Sequence, residues 1–255
     1  MRYFIITKRT IFIAFMVVLS VTVLFAGIAS EPKVTPVTND LEKSIPIYCV
    51  GTHEKKLAIT FDAAWGADDT NKLIEILKQY NAKATFFVVG DWAKKFPDSV
   101  KAFHAQGHEI ANHSYSHKQY TKLSYDEIRN DIMKCNEEIK KTIGIMPTLL
   151  RAPSGAYSND TIKAATSLSM STIQWSVDSL DWQGLETAEI VKRVDTAAEN
   201  GSIILFHNDV KNTPEALKEI LDRLSKKGFS FVTVSELIYK DNFKIDNAGK
   251  QTIVA

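Results

Sequence analysis

A chain of 255 residues that is 45% hydrophobic and 24% charged has the composition of a globular protein, with enough residues for one large domain. Its 31 Lys and Arg nearly balance its 30 Asp and Glu, so the formal net charge of +1 provides no electrostatic basis for binding nucleic acid. We therefore expect no nucleic-acid partner, and we expect the domain to be a monomer.

The first segment of the chain is typical of a membrane anchor. Basic residues precede an uncharged apolar run at residues 10–29, and twenty residues are enough to span a bilayer as a helix. The basic residues predict that the N-terminus stays inside and that the rest of the chain lies outside. We interpret residues 1–29 as a signal anchor, with a cleaved signal peptide as the alternative, because small residues end the run. Residues 30–44 are predicted to be a linker containing two prolines.

Seven short apolar runs follow, each of a length suited to a buried strand. They lie at residues 57–61, 84–89, 109–113, 149–151, 172–177, 203–206 and 229–234. Amphipathic segments of helical period separate most of them. Alternating strands and helices predict a parallel sheet covered by helices, and seven strands favour a (β/α) barrel over an open sheet. In such barrels the functional residues gather at the C-terminal ends of the strands.

Two helix starts can be read directly from the sequence. Thr213 and Pro214 are a cap residue and a first-turn proline, and Gly228 is placed to end the helix that they begin. Asp68 and Asp69 are predicted to be first-turn acids of an earlier helix, where carboxylates interact favourably with the helix dipole.

Polar clusters follow five of the predicted strands. They contain Asp62, the pair His113 and His117, Arg151 with Ser154, Asp181 with Trp182, and His207. A His-x-x-x-His pair can offer two imidazoles to one metal when its segment is helical or tightly turned. Each residue alone also has an ordinary structural interpretation, such as a helix cap, an ion pair or a core position. Their shared placement at strand ends favours one common site.

Together these clusters resemble the polysaccharide deacetylases of carbohydrate esterase family four, which share the NodB-homology domain. The five motifs occur in the family's order: Thr60-Phe61-Asp62, His113-Ser114-x-x-His117, Arg151-x-Pro153-x-Gly155, Asp178-x-x-Asp181-Trp182 and Leu205-x-His207. The variant Thr-Phe-Asp-Ala-Ala-Trp-Gly at residues 60–66 resembles the PdaB-like proteins of spore-forming bacteria. The resemblance implies a distorted (β/α) barrel of the NodB-homology type at residues 45–241, with about seven parallel strands. One N-terminal transmembrane helix would precede it, and we expect a loosely ordered tail at residues 242–255.

The resemblance assigns four residues to acid–base chemistry. Asp62 matches the general base that takes a proton from water. Arg151 matches the residue that holds this carboxylate, which a guanidinium can do bidentately. His207 matches the general acid, and Asp181 would orient its imidazole and raise its pKa.

Four further residues match metal and substrate positions. The resemblance makes His113 and His117 ligands of one divalent metal, usually zinc, which polarises the acetamide carbonyl and activates water. The backbone N–H of Ser154 would stabilise the oxyanion, and Trp182 would form a wall of the sugar groove.

One departure concerns the metal. The family's third ligand is an aspartate at the position of Ala63, and alanine has no donor atom, so the metal is expected to be weakly bound or absent. The favoured function is a metal-dependent hydrolase that removes N-acetyl groups from peptidoglycan or spore-cortex glycan. The alternative is a catalytically weakened glycan-binding relative in spore-wall assembly. Either would be anchored outside the cytoplasmic face or secreted into the cell wall or spore intermembrane space.

Overall fold

Residues 44–254 are described by a computed structural model with eleven β-strands and eight α-helices. The strands are β1 (Cys49–Val50), β2 (Lys56–Ala63), β3 (Ala84–Val88), β4 (Glu109–Asn112), β5 (Leu149–Leu150), β6 (Ser171–Thr172), β7 (Val177–Asp178), β8 (Ile203–His207), β9 (Ser230–Phe231), β10 (Phe243–Ile245) and β11 (Lys250–Ile253). The helices are α1 (Thr70–Gln79), α2 (Gly90–Lys95), α3 (Pro97–Ala105), α4 (Tyr125–Ile143), α5 (Asn159–Ser167), α6 (Thr187–Ala197), α7 (Thr213–Lys226) and α8 (Val234–Leu237).

The main sheet is parallel throughout. Seven strands follow the order β6-β5-β4-β3-β2-β8-β7, and β9 pairs with the start of β2. Among the described strands, β6 and β7 lie at the two edges and do not pair, so the sheet curls as a half-barrel. This confirms the predicted parallel (β/α) fold of the NodB-homology type, although the barrel is not closed by strand pairing.

The apolar run at residues 172–177, predicted to be one strand, is instead two short strands at opposite edges of the sheet. The residues between them cross the open side of the half-barrel. There the Ile47 N–H donates to the Thr172 carbonyl at 2.9 Å, and the Ile47 carbonyl accepts the Gln174 N–H at 2.7 Å. The single-strand prediction was wrong because an apolar run does not show which distant segment its backbone pairs with, and here the middle of the run pairs with Ile47.

The alternation of side chains along β2 separates the core from the cleft. Phe61 stacks on Phe86 with ring centroids 4.8 Å apart, and Ala63 lies in the same buried apolar cluster. Thr60 and Asp62 project from the opposite face, because successive side chains in a strand alternate. Burial of a phenylalanine such as Phe61 contributes about 1.5–3 kcal/mol. The apolar positions therefore fix the register that presents Asp62 to the cleft.

The two helix starts differ from the sequence-based expectation. Asp69 is the N-cap of α1 but makes no side-chain cap; its Oδ2 accepts the backbone N–H of Asp209 at 2.8 Å. Thr213 begins α7 with Asn212 as its N-cap, and the Thr213 hydroxyl donates to Asp181 instead of capping. The side chains of Asp69 and Thr213 thus bind segments that are distant in sequence, and local sequence patterns cannot predict such contacts. The predicted end of α7 agrees with the structure, where Gly228 follows with φ of 85°.

The tail after residue 241 was predicted to be loosely ordered, and this was wrong. β10 and β11 form an antiparallel pair, and β11 also pairs with β1 in a parallel register. The Gln251 side chain is buried and exchanges hydrogen bonds with the backbone of Tyr239 at 2.8 and 2.9 Å. The polar composition of the tail gave no sign of these long-range partners.

The proposed membrane span at residues 10–29, and the linker up to residue 43, lie outside the described residues. Within residues 44–254, no helix combines the length and the apolar character needed to cross a bilayer.

Candidate active site

A cleft of about 350 Å³ lies at the C-terminal ends of β2, β4 and β8. Its lining residues are Asp62, Ala64, Trp65, His113, His117, Ser154, Trp175, Asp178, Trp182, Leu205 and His207. Six of the eight predicted site residues are among them. The other two, Arg151 and Asp181, are fully buried behind the cleft and contact Asp62 and His207. The structure therefore brings all eight residues together.

Asp62 lies at the end of β2 and is held by Arg151. The Arg151 Nη1 donates to Asp62 Oδ1 at 2.8 Å and to the Thr60 hydroxyl at 2.9 Å. Its Nη2 donates to the Gln174 carbonyl at 3.0 Å, and the guanidinium lies 4.0 Å from the centroid of the Phe87 ring. The expected bidentate pairing was wrong, because the second arm of the fork binds the chain segment that crosses the half-barrel. Arg151 thus ties the carboxylate to that segment.

The charge balance around Asp62 favours its ionised form. Burial alone would raise its pKa, but the charges of His113 when protonated, of Arg151 and of His207 outweigh burial and hold the pKa below its usual value. The Asp62 carboxylate therefore stays ionised at neutral pH.

His207 lies on the neighbouring strand, in register with Asp62, and is held by Asp181. Its Nδ1 is 2.8 Å from Asp181 Oδ1, and its backbone N–H donates to Asp181 Oδ2 at 2.8 Å. The Thr213 hydroxyl and the Trp182 N–H also donate to this carboxylate, at 2.7 and 2.9 Å. Burial would lower the pKa of His207, but the hydrogen bond and charge of Asp181 outweigh it and the pKa is raised. These contacts favour a protonated imidazole whose Nε2 is free to donate.

The two predicted metal-binding histidines lie on a tight turn after β4. Ser114 and His117 adopt left-handed backbone conformations, with φ of 70° and 56°. The Asn112 side chain accepts the Ser114 N–H at 2.7 Å, and the Ser114 hydroxyl accepts the His117 N–H at 2.9 Å. The turn brings the rings of His113 and His117 to 5.1 Å between centroids. The segment is therefore turned rather than helical.

His113 presents a lone pair to Asp62. Its Nδ1 is 2.9 Å from the Arg151 carbonyl, which can only accept, so Nδ1 carries the proton. Burial lowers the pKa of His113 to about 4, so the ring is neutral at pH 7. Its unprotonated Nε2 then lies 3.4 Å from Asp62 Oδ2, with two acceptors facing each other. A proton donor between them, such as water, would satisfy both acceptors.

The residues present do not complete a three-ligand metal centre. Across residues 44–254, no three His, Cys, Asp or Glu side chains are arranged to hold a metal ion. Ala63 is fully buried in the apolar cluster and is absent from the cleft lining, whereas the next residue, Ala64, lines it. A catalytic zinc site usually has three protein ligands. His113 and His117 therefore offer two imidazole donors without an anionic third ligand.

Of the two predicted substrate-binding residues, Ser154 precedes β6 in the chain and Trp182 follows β7. Ser154 has a left-handed conformation, with φ of 55°, in the turn at Pro153–Gly155, and its side chain is exposed. In the part of the chain that the structure describes, the Ser154 N–H has no hydrogen-bond partner, so it is available to an oxyanion. The Trp182 side chain is 54% exposed where it lines the cleft.

Five cleft residues were given no role by sequence reasoning. They are Ala64, Trp65, Trp175, Asp178 and Leu205. Trp65 lies three residues after Asp62, and a large aromatic side chain just beyond a strand end was a usable signal for a cleft wall. Trp175 was hidden in the run mistaken for one strand. Asp178 was visible only as part of the motif that contains Asp181.

Comparisons with known proteins identify similar sequences and structures in one family. Residues 50–173 match the family described as polysaccharide deacetylase. A Bacillus cereus protein named peptidoglycan-N-acetylglucosamine deacetylase is 37% identical over 189 residues, which cover 72% of this chain and 69% of that protein. The uncharacterized protein YlxY of Bacillus subtilis is 35% identical over 193 residues, which cover 76% of this chain and 60% of that protein.

A similar solved structure is described as a CE4 family pseudoenzyme from Bacillus anthracis. It has a TM-score of 0.73 and 33% identity, covering 75% of this chain and 68% of that chain. A mutant of the same protein, described as having restored enzymatic activity, has a TM-score of 0.73 and 34% identity, covering 75% of this chain and 70% of that chain.

Proposed function

The chain belongs to the polysaccharide deacetylase family, and we propose that it removes N-acetyl groups from the amino sugars of peptidoglycan or spore-cortex glycan. The observation that carries this proposal is the pair of opposed proton-transfer groups in one cleft. Asp62 is paired with Arg151, and Asp181 raises the pKa of His207 and so favours its protonated form. A protein that only binds glycans needs neither arrangement.

In the proposed reaction, Asp62 takes a proton from a water molecule whose oxygen attacks the acetamide carbonyl carbon. The backbone N–H of Ser154 stabilises the oxyanion of the tetrahedral intermediate. The C–N bond then breaks while the Nε2 of His207 donates its proton to the departing nitrogen. The products are acetate and a free amino sugar.

A divalent metal, zinc by family resemblance, is the proposed cofactor. His113 and His117 would hold it, and it would supply polarisation of the acetamide carbonyl when bound. Because no third His, Cys, Asp or Glu side chain within residues 44–254 completes a site with these two histidines, we propose weak binding.

The second candidate is a glycan-binding relative with little or no turnover. The buried Ala63 at the usual ligand position and the similarity to a pseudoenzyme favour this alternative. The retained acid–base pairs argue against it, because binding alone does not require them.

We further propose that residues 10–29 anchor the chain in a membrane with the domain outside the cytoplasmic face. The uncharged apolar run behind an N-terminal basic segment supports this orientation. Recovery of the unprocessed chain in the soluble cytoplasmic fraction would contradict it.

Acetate release from purified peptidoglycan tests the activity directly. The full chain in detergent, with zinc supplied, should release acetate, and Asp62→Asn should release at least about a hundredfold less, because the general base is lost. Exposed Asp98 provides the matched control, and Asp98→Asn should behave as wild type. Binding of glycan without acetate release by the wild-type chain would favour the second candidate.

A further inference from the structure

Trp65 is an exposed aromatic residue inside the cleft. Its side chain is 52% exposed, yet it lies in the same cleft as the mostly buried His207. Of the chain's four tryptophans, only Trp65 and Trp182 are exposed, and both line this cleft. Exposed aromatic surface at a concave site marks a place where a ligand packs.

The backbone beside Trp65 is fixed by buried donors. The Gly66 carbonyl accepts the Trp92 Nε1–H at 2.9 Å and the Asn208 Nδ2–H at 2.5 Å, and both donor side chains are buried. A Cβ at Gly66 would lie 2.0 Å from the carboxylate of Asp209. The backbone at Gly66 therefore packs closely against the segment that follows β8, and His207 is the last residue of β8.

The Trp65 indole is in turn placed against His207. The two ring centroids are 5.5 Å apart, with an interplanar angle of 36°. An aromatic side chain held in this way loses little conformational entropy when a ligand packs on it. Trp65 is thus a preorganised apolar wall next to the group proposed to donate the proton.

We propose that Trp65 is a substrate-binding residue, on which one face of a pyranose ring of the N-acetylated glycan packs beside His207. This inference rests on the proposed function, because it places the sugar that carries the departing nitrogen. Pyranose rings present C–H bonds on their faces, and burying these against an indole removes apolar surface from water.

The test is calorimetric titration of the full chain in detergent with a tetramer of N-acetylglucosamine. Trp65→Ala should weaken the Kd about tenfold, whereas Trp65→Phe should remain within about threefold of wild type, because an aromatic face is kept. Phe243→Ala is the matched control, since Phe243 is an exposed aromatic residue on β10 outside the cleft, and its Kd should not change.

Acetate release measured on the same samples separates the two claims. Equal tetramer affinity of wild type and Trp65→Ala, with acetate still released by wild type, would overturn the role of Trp65 alone. Failure of wild type both to bind the tetramer and to release acetate would overturn the proposed function together with this inference. A weaker Kd for Trp65→Ala with normal binding by Trp65→Phe supports the inference whether or not acetate is released. A raised KM with a smaller change in kcat for Trp65→Ala would support the same role during turnover.

Discussion

His113 and His207 lie in the same cleft and are both largely buried, yet their pKa values shift in opposite directions. Burial alone would lower the pKa of both rings, so other contacts must account for the difference. The Nδ1 of His113 faces the neutral carbonyl of Arg151, whereas the Nδ1 of His207 faces the charged carboxylate of Asp181. Burial outweighs the charge of Asp62 at His113, whereas the hydrogen-bonded carboxylate of Asp181 outweighs burial at His207, so one imidazole stays neutral and the other favours its protonated form.

Arg151 contacts both His113 and Asp62, and its loss should have the largest effect. Its carbonyl binds His113 and its guanidinium binds Asp62. We expect Arg151→Met to lower the free energy of unfolding by about 3–5 kcal/mol, because it leaves a buried carboxylate without its cation. Urea denaturation measures this. The double variant Arg151→Met with Asp62→Asn should recover part of the loss, and equal losses in single and double variants would contradict the ion-pair account.

The two histidines should give pH dependences of stability with opposite sign. The pKa of His113 is about 4 in the folded chain, below its ordinary 6.5, so unfolded chains take up the proton first as pH falls. Its contribution is complete above pH 6.5, and on the order of 3 kcal/mol is lost between pH 6.5 and 4. The raised pKa of His207 gives stability that is present below pH 6.5 and lost as pH rises through the folded value.

Denaturation of His113→Gln and His207→Gln across this range checks these signs. His113→Gln should flatten the acid side of the stability curve, and His207→Gln should flatten the side above pH 6.5. Identical curves for the two variants would contradict the proposed contrast.

Replacing the carboxylate of Asp181 should make His207 resemble His113. We expect Asp181→Asn to lower the His207 pKa and reduce acetate release about a hundredfold at neutral pH, because the imidazole loses its charged partner. The high-pH limit of kcat/KM should move downward with that pKa. An unchanged limit would remove His207 from the role of general acid.

The residues of the cleft could be predicted from the sequence more completely than the path of the chain between them. Strand ends carry Asp62, Arg151 and His207, so a parallel sheet already places them at one edge. The crossing at residues 172–177 could not be predicted, because its backbone partners include Ile47 and that pairing is not local in sequence. For the same reason the single contact between Arg151 and Asp62, and the position of Trp65 against His207, became visible only in the structure.

Substitutions next to the pair His113 and His117 should have smaller effects than those at Arg151 or Asp181. The family resemblance places an aspartate ligand at Ala63, so Ala63→Asp should tighten zinc binding about tenfold once the charged side chain turns out of the apolar cluster toward the histidine pair. Because Ala63 is packed in the apolar cluster, some loss of stability should accompany the gain.

Zinc titration of Ala63→Asp, Ala64→Asp, and Ala63→Asp combined with His113→Ala checks this. The combined variant should return to the wild-type affinity or below. A gain only in Ala64→Asp would place the missing ligand at the residue that lines the cleft, and equal affinity in all forms would remove the histidine pair as a metal site.

The most direct measurement of the central contrast is a pH titration of the histidine ring nitrogens by NMR. The full chain contains six histidines, and single His→Gln variants assign the signals of His113 and His207. We expect His207 to titrate above its ordinary 6.5, and His113 to remain neutral with its proton on Nδ1 until pH approaches about 4. A His113 ring that is protonated at pH 7, or a His207 ring that titrates below 6.5, would contradict it.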